Sequence, residues 1–105
     1  MAERITNSEF HEKVIGSSRL VIVDFYSDSC VPCKRMSAVL ASLEEQYHGA
    51  VYAAKVNVAY EKELVAEYAI RSTPTFIFFK NGDVAERFSG IRKKEEVEHL
   101  IESNL

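Results

Sequence analysis

The sequence predicts an α/β fold, a central mixed β-sheet of four to five strands flanked by helices on both faces. Three observations carry that reading. Leu20–Tyr26 (LVIVDFY) is apolar on both alternating faces, as a strand covered from both sides must be. The segment after it switches to helical spacing, with Met36, Val39, Leu40, Leu43 and Tyr47 recurring at steps of three and four. Lys80-Asn81-Gly82-Asp83 then separates two apolar runs, and Asn-Gly tolerates the positive φ angles of a tight hairpin.

The elements follow in order. Thr6-Asn7-Ser8-Glu9 reads as a capping box, in which hydroxyl and carboxylate reciprocally satisfy free backbone N–H groups. A short helix should run from it to about residue 15, with Phe10 and Val14 one turn apart and Gly16 ending it. A short strand over residues 4–6 could precede it. After the strand at 20–26, a long helix is expected over residues 33–47, with Gly49 as its stop. Residues 51–58 form the next strand, and 61–68 a short helix carrying Leu64, Val65 and Tyr68. Strands at 75–79 and 84–88 should be antiparallel neighbours, and a last helix at 93–103 presents Val97, Leu100 and Ile101 to the core. The order αβαβαββα predicts parallel strands joined by right-handed crossovers, then an antiparallel hairpin at one edge.

A chain of 105 residues is expected to form one domain, spanning 1–105. Its 13 basic and 16 acidic side chains leave a net charge of −3, no electrostatic reason to bind nucleic acid or an anionic membrane. Apolar runs such as residues 20–23 are far short of the ~20 needed to cross a bilayer. The N-terminus, MAERITNSEF, carries acids and lacks an apolar core, so a secretory signal is not expected and the cytoplasm is the expected compartment.

Cys30 and Cys33 are the only cysteines. Two placed at random in a chain this long would fall three apart about one time in fifty, so the spacing calls for a mechanism. A structural staple explains it poorly, because the loop closed is nearly the shortest possible. A closed zinc site needs four ligands, and His11, His48 and His99 lie scattered without ligand spacing to the pair. Three readings stay open: a redox dithiol, half of a shared metal site, or inert cysteines. The redox dithiol is favoured, with no metal or organic cofactor expected.

Cys30 falls between the buried strand and the long helix, where free N–H groups and the macrodipole stabilise a thiolate. Pro32 suits the first helical turn, where its missing N–H is no loss. Cys30 is therefore expected to be the exposed attacking nucleophile, with Cys33, about one turn inward, as the resolving thiol.

VDFYSDSCVPCK (residues 23–34), Ser72-Thr73-Pro74-Thr75, and Lys80-Asn81-Gly82 followed by Gly90 together resemble the thioredoxin family over essentially the whole chain. The resemblance implies the thioredoxin fold. Helix-start cysteines drop below the ~8.5 of a free thiol, thioredoxin's own among the standard examples. By resemblance, Pro74 is a cis-proline facing the cysteines, and the backbone of Thr73 pairs with a substrate segment. Gly90 matches a glycine near the same groove, where a missing side chain permits close backbone approach. Asp24 matches a buried aspartate that takes a proton from the resolving cysteine through water. Without the resemblance, the favoured reading is an Asp at the strand's end, partly wet and merely hydrogen-bonded. Lys55 matches the lysine beside that aspartate, though on its own it reads as an edge-strand lysine.

The sequence also departs from the family pattern. The usual W-C-G-P-C is here Ser29-Cys30-Val31-Pro32-Cys33, and the chain has no tryptophan. Ser29 makes the site smaller and more polar, which bears on partner specificity. Val31 restricts the backbone between the thiols and adds an apolar contact, which bears on the redox potential. Ala38 stands where many relatives have a helix-kinking proline, so a straighter helix is expected. Arg92, Lys93 and Lys94 open the last helix, either as a solvated run or as a contact for acidic partners. Met36 and the Phe76/Phe78/Phe79 cluster read as core.

The resemblance implies a monomeric protein disulfide reductase recharged by a thioredoxin reductase linked to NADPH or ferredoxin. Its substrates would be disulfide-containing proteins. The variant motif also suggests an electron donor dedicated to one reductase system, such as the amino-acid reductases of fermenting anaerobes. An oxidant or isomerase and a thioredoxin-fold binding module are the other readings.

Overall fold

Water is excluded from both faces of β2 (Leu20–Tyr26), whose seven residues are all buried, and the rest of the sheet is arranged around it. The computed structural model describes residues 2–105. On one side β2 runs parallel to β3 (Val51–Asn57), which in turn pairs in parallel with the two-residue β1 (Glu3–Arg4). On the other side it pairs antiparallel with β4 (Thr75–Lys80), which forms a hairpin with β5 (Asp83–Ser89). The sheet order is β1-β3-β2-β4-β5, the mixed five-stranded sheet of the thioredoxin fold.

Alternation along the strands divides the core in two. Leu20, Ile22, Ala53, Phe76 and Phe78 point to the face covered by α2 (Val31–Gln46) and α4 (Lys94–Asn104), meeting Met36, Leu40, Leu43, Val97 and Ile101. Val21, Val23, Phe25, Ile77 and Phe79 point to the other face and meet Ile5, Phe10, Val14 and Leu64, the last from α3 (Lys62–Glu67). Each such fully buried large side chain contributes about 1.5–3 kcal/mol. Met36 and the Phe76/Phe78/Phe79 cluster are core. No helix among the described residues is long and apolar enough to cross a membrane.

Several local expectations are revised. The first helix is α-helical only over α1 (Asn7–Phe10) and widens into π-type turns over His11–Ile15. At its start the Glu9 carboxylate accepts from the Thr6 N–H at 3.0 Å. Gly16 ends it with right-handed dihedrals, and a Cβ there would lie 3.0 Å from the Glu12 carbonyl, so crowding rather than handedness favours glycine. The long helix begins at Val31, two residues earlier than expected, because Cys30 serves as its N-cap. It continues as α-helix through Ala38. The hairpin turns at Asn81 (φ 52°) and Gly82 (φ 85°), with β5 starting at Asp83.

The loop after α3 carries Thr73 and Pro74, and a side-chain clamp anchors its root. Arg87 on β5 donates to the carbonyls of Tyr68 and Ala69, the latter at 2.9 Å. These carbonyls close the C-terminal end of α3, where helical partners run out.

Candidate active site

The strand that carries Asp24 ends at Tyr26, and residues 27–30 turn the chain into α2. Cys30 takes the extended N-cap conformation (φ −89°, ψ 110°), and its sulfur accepts the Cys33 N–H at 3.1 Å. Sulfur thus occupies the place of an N-cap oxygen, facing the positive end of a sixteen-residue helix. The two cysteines form a disulfide with Cα atoms 5.2 Å apart. Their exposures differ: Cys30 is half-buried, less open than the exposed position expected, whereas Cys33 is 4% exposed on the inward face of α2. Pro32 lies in the first turn, where no N–H is needed. Ser29 is exposed, and Val31 is 67% exposed, so its apolar surface faces outward rather than packing within the chain.

A second loop faces this helix start. The Thr73–Pro74 peptide bond is cis, and the Thr73 carbonyl oxygen lies 3.5 Å from Cys30 Sγ. The Thr73 hydroxyl pairs with that of Ser27 at 3.2 Å, tying the two loops together. Gly90 donates its N–H to the Pro74 carbonyl at 2.9 Å, which brings the segment after β5 to the same rim. Nothing among the described residues would crowd a Cβ at Gly90; its φ of 83° is what disfavours a side chain there.

Asp24 lies behind this rim. It is fully buried, which removes the partly wet alternative, and strand alternation turns it toward α2. Neither carboxylate oxygen has a hydrogen-bond partner among the described residues. Burial therefore pushes its pKa up to about 7, with the Lys55 charge offsetting part of the rise. Lys55 is its register partner on β3, and β1 covers the other side through Arg4, so the edge-strand reading of Lys55 is corrected. Its ammonium donates to Ser37 Oγ at 3.2 Å and lies 4.5 Å from the centre of the Tyr26 ring. Tyr26, Asp28, Cys33, Lys34, Ser37 and Lys55 line a cleft of about 290 Å³ that gives solvent a route toward the inner cysteine. No three His, Cys, Asp or Glu side chains among the described residues converge as metal ligands.

The cluster at Arg92, Lys93 and Lys94 is less free than a solvated run. Arg92 lies over the Phe88 ring at 5.0 Å and donates to the Ser89 carbonyl at 3.1 Å. Lys94 donates to Ser42 Oγ at 2.9 Å on α2.

A redox disulfide capping a helix opposite a cis-proline loop can be compared with known proteins. The family model described as thioredoxin matches residues 1–103. The chain belongs to the thioredoxin family. That family comprises protein disulfide oxidoreductases. The chain is 31% identical to a thioredoxin of Rickettsia felis over 105 residues, the full length of both. It is 40% identical to the probable thioredoxin-2 of Caenorhabditis elegans over 97 residues, 92% of this chain and 67% of the worm protein. It is 34% identical to the mitochondrial thioredoxin of Mus musculus over 93 residues, 89% of this chain and 56% of the mouse protein. It thus spans about half the length of the mammalian mitochondrial relatives it matches.

Sequence reasoning named Cys30, Cys33, Pro74, Thr73 and Gly90, which the fold gathers at one rim, and Asp24 and Lys55, which pair in register behind it. It passed over Ser27, Ser37 and Tyr26. The signal for two of them was periodicity: Ser37 is one helical turn beyond Cys33, and Tyr26 shares a strand face with Asp24.

Proposed function

We propose that this chain is a disulfide reductase that carries two electrons at a time to other proteins, with Cys30 attacking and Cys33 resolving. The single observation supporting this order is the asymmetry of the sulfurs, one half-buried at a helix N-cap and the other covered on the inward face of the helix's first turn. In the reduced protein, the Cys30 thiolate attacks one sulfur of a partner disulfide. A Cys30–partner bond forms, the partner's S–S bond breaks, and its other sulfur leaves as a thiolate. Cys33 then loses its proton and attacks Cys30 Sγ, which closes the internal disulfide and expels the remaining partner sulfur. The partner gains two electrons and, on protonation, two hydrogens; the chain ends oxidised.

Asp24 is the proton acceptor for Cys33, acting through water in the cleft. A carboxyl whose pKa is near 7 exchanges protons at neutral pH far better than an ordinary aspartate. Lys55 sets its charge environment. Thr73 and Pro74, beside Gly90, form the backbone rim on which an extended substrate segment lies next to the sulfur. Exposed Val31 and Ser29 offer that segment one apolar and one small polar contact, in place of the indole expected from the family pattern. Val31 and Pro32 also tune the balance between dithiol and disulfide. A thioredoxin reductase in the same compartment, for which the cytoplasm is proposed, returns the electrons.

Insulin precipitation tests the reading. With a chemical reductant supplying electrons, catalytic amounts of the protein should speed reduction of the interchain disulfides, and Cys30→Ser should abolish the acceleration. A rate no faster than the reductant alone would favour a binding role for the fold.

A further inference from the structure

The Lys55 ammonium has two kinds of partner within reach of its strand. Across the sheet, in register, is the Asp24 carboxyl, buried and accepting no hydrogen bond among the described residues. The ammonium instead donates to Ser37 Oγ at 3.2 Å and lies 4.5 Å from the centre of the Tyr26 ring. A helix, a strand and its neighbour thus each contribute to holding one cation: α2 through Ser37, β2 through Tyr26, and β3 through Lys55 itself. The ring's negative face and the hydroxyl's lone pair both favour the ammonium at that point.

We propose that Ser37 is a positioning residue that, with the Tyr26 ring, holds the Lys55 ammonium in the cleft beside Cys33 and off Asp24, leaving that carboxyl free to carry a proton. The proposal rests on the exchange reading above for its purpose, since a proton carrier is needed only if Cys33 must ionise. The physical reason lies in what direct pairing would do. An ammonium bonded to the carboxylate favours the ionised form, and an aspartate so held would stay charged at neutral pH. Kept at the cleft wall, the same cation offsets only part of the effect of burial. Among the described residues, the other charged or titratable groups around the cleft are Lys34 on α2, Asp28 in the loop after β2, and Tyr26 on β2; Cys33, held in the disulfide, does not titrate in the oxidised protein. From β4 the register neighbour of Asp24 is apolar Phe76.

Carbon-13 NMR titration of the Asp24 carboxyl in the oxidised protein tests this without any turnover. Ser37→Ala should lower the titration midpoint by about half a pH unit or more as the ammonium moves onto the carboxylate. Ser37→Thr, which keeps the hydroxyl, should retain the parent midpoint. In a Lys55→Met background, Ser37→Ala should have no effect, because the coupling runs through the cation. A midpoint unchanged or raised in Ser37→Ala, or the same fall without Lys55, would overturn the proposal. A shifted midpoint in a protein that fails to reduce insulin would sink the exchange reading and leave the Ser37 contact standing. An unshifted midpoint in an active protein would do the reverse.

Discussion

At pH 8 the oxidised Asp24→Asn variant is expected to be more stable than the parent protein, with a gain over its value at pH 4 of up to roughly 4 kcal/mol. The figure follows from a carboxyl pKa raised from 3.8 to about 7, at about 1.4 kcal/mol per unit. The sign follows from proton counting. Between those two values the native state holds a proton that the unfolded chain has lost, so parent stability falls as pH rises through that window and levels off above it. Asparagine does not titrate, so its stability lacks this fall. Asparagine would enter a site where the carboxyl has no hydrogen-bond partner among the described residues, so the titration is expected to be the main difference between the two side chains. Urea denaturation at pH 4 and pH 8 measures it; an equal difference at both values would mean that Asp24 is not titrating in this range. The same substitution should slow closure of the mixed disulfide more than the first attack, and equal slowing of both would remove Asp24 from the resolving step.

Cys33→Ser is expected to convert a catalyst into a trap. Cys30 remains at the N-cap with a free sulfur, so attack on a partner disulfide continues, but no second thiol closes the ring. Multiple turnover should be lost, and about one partner per chain should accumulate in a covalent adduct that reductant releases. Non-reducing gels with peptide mapping read the outcome. Adducts through Cys30 in Cys33→Ser, with few or none through Cys33 in Cys30→Ser, are the expected pair; the opposite pair would exchange the two roles.

The fold was legible where the period was strong. The doubly apolar strand, the three-and-four spacing of the long helix and the Asn-Gly hairpin each follow from local physics that tertiary packing reinforces. The π-type turns over His11–Ile15 were not legible, because Phe10 and Val14 supply the same apolar face whichever carbonyl each N–H selects. Lys55 looked like an edge residue because β1, the strand that covers it, is only two exposed residues long and carries no apolar signature. In the site, Cys30, Cys33 and Asp24 stood out by chemistry, a paired thiol and a carboxyl in an apolar run. Ser27 and Ser37 are ordinary residue types whose significance lies in a partner 46 or 18 residues away, and only the folded chain brings those partners together.

The proposed electron transfer depends most on the two sulfurs of the reduced protein being unlike. Timed alkylation with iodoacetamide at pH 7, followed by mass mapping, compares them directly. Cys30 should be modified at least ~10-fold faster than Cys33, as expected of an ionised, accessible sulfur beside a covered one. Equal and slow modification of both would contradict the attacking and resolving roles, and with them the proposed electron transfer.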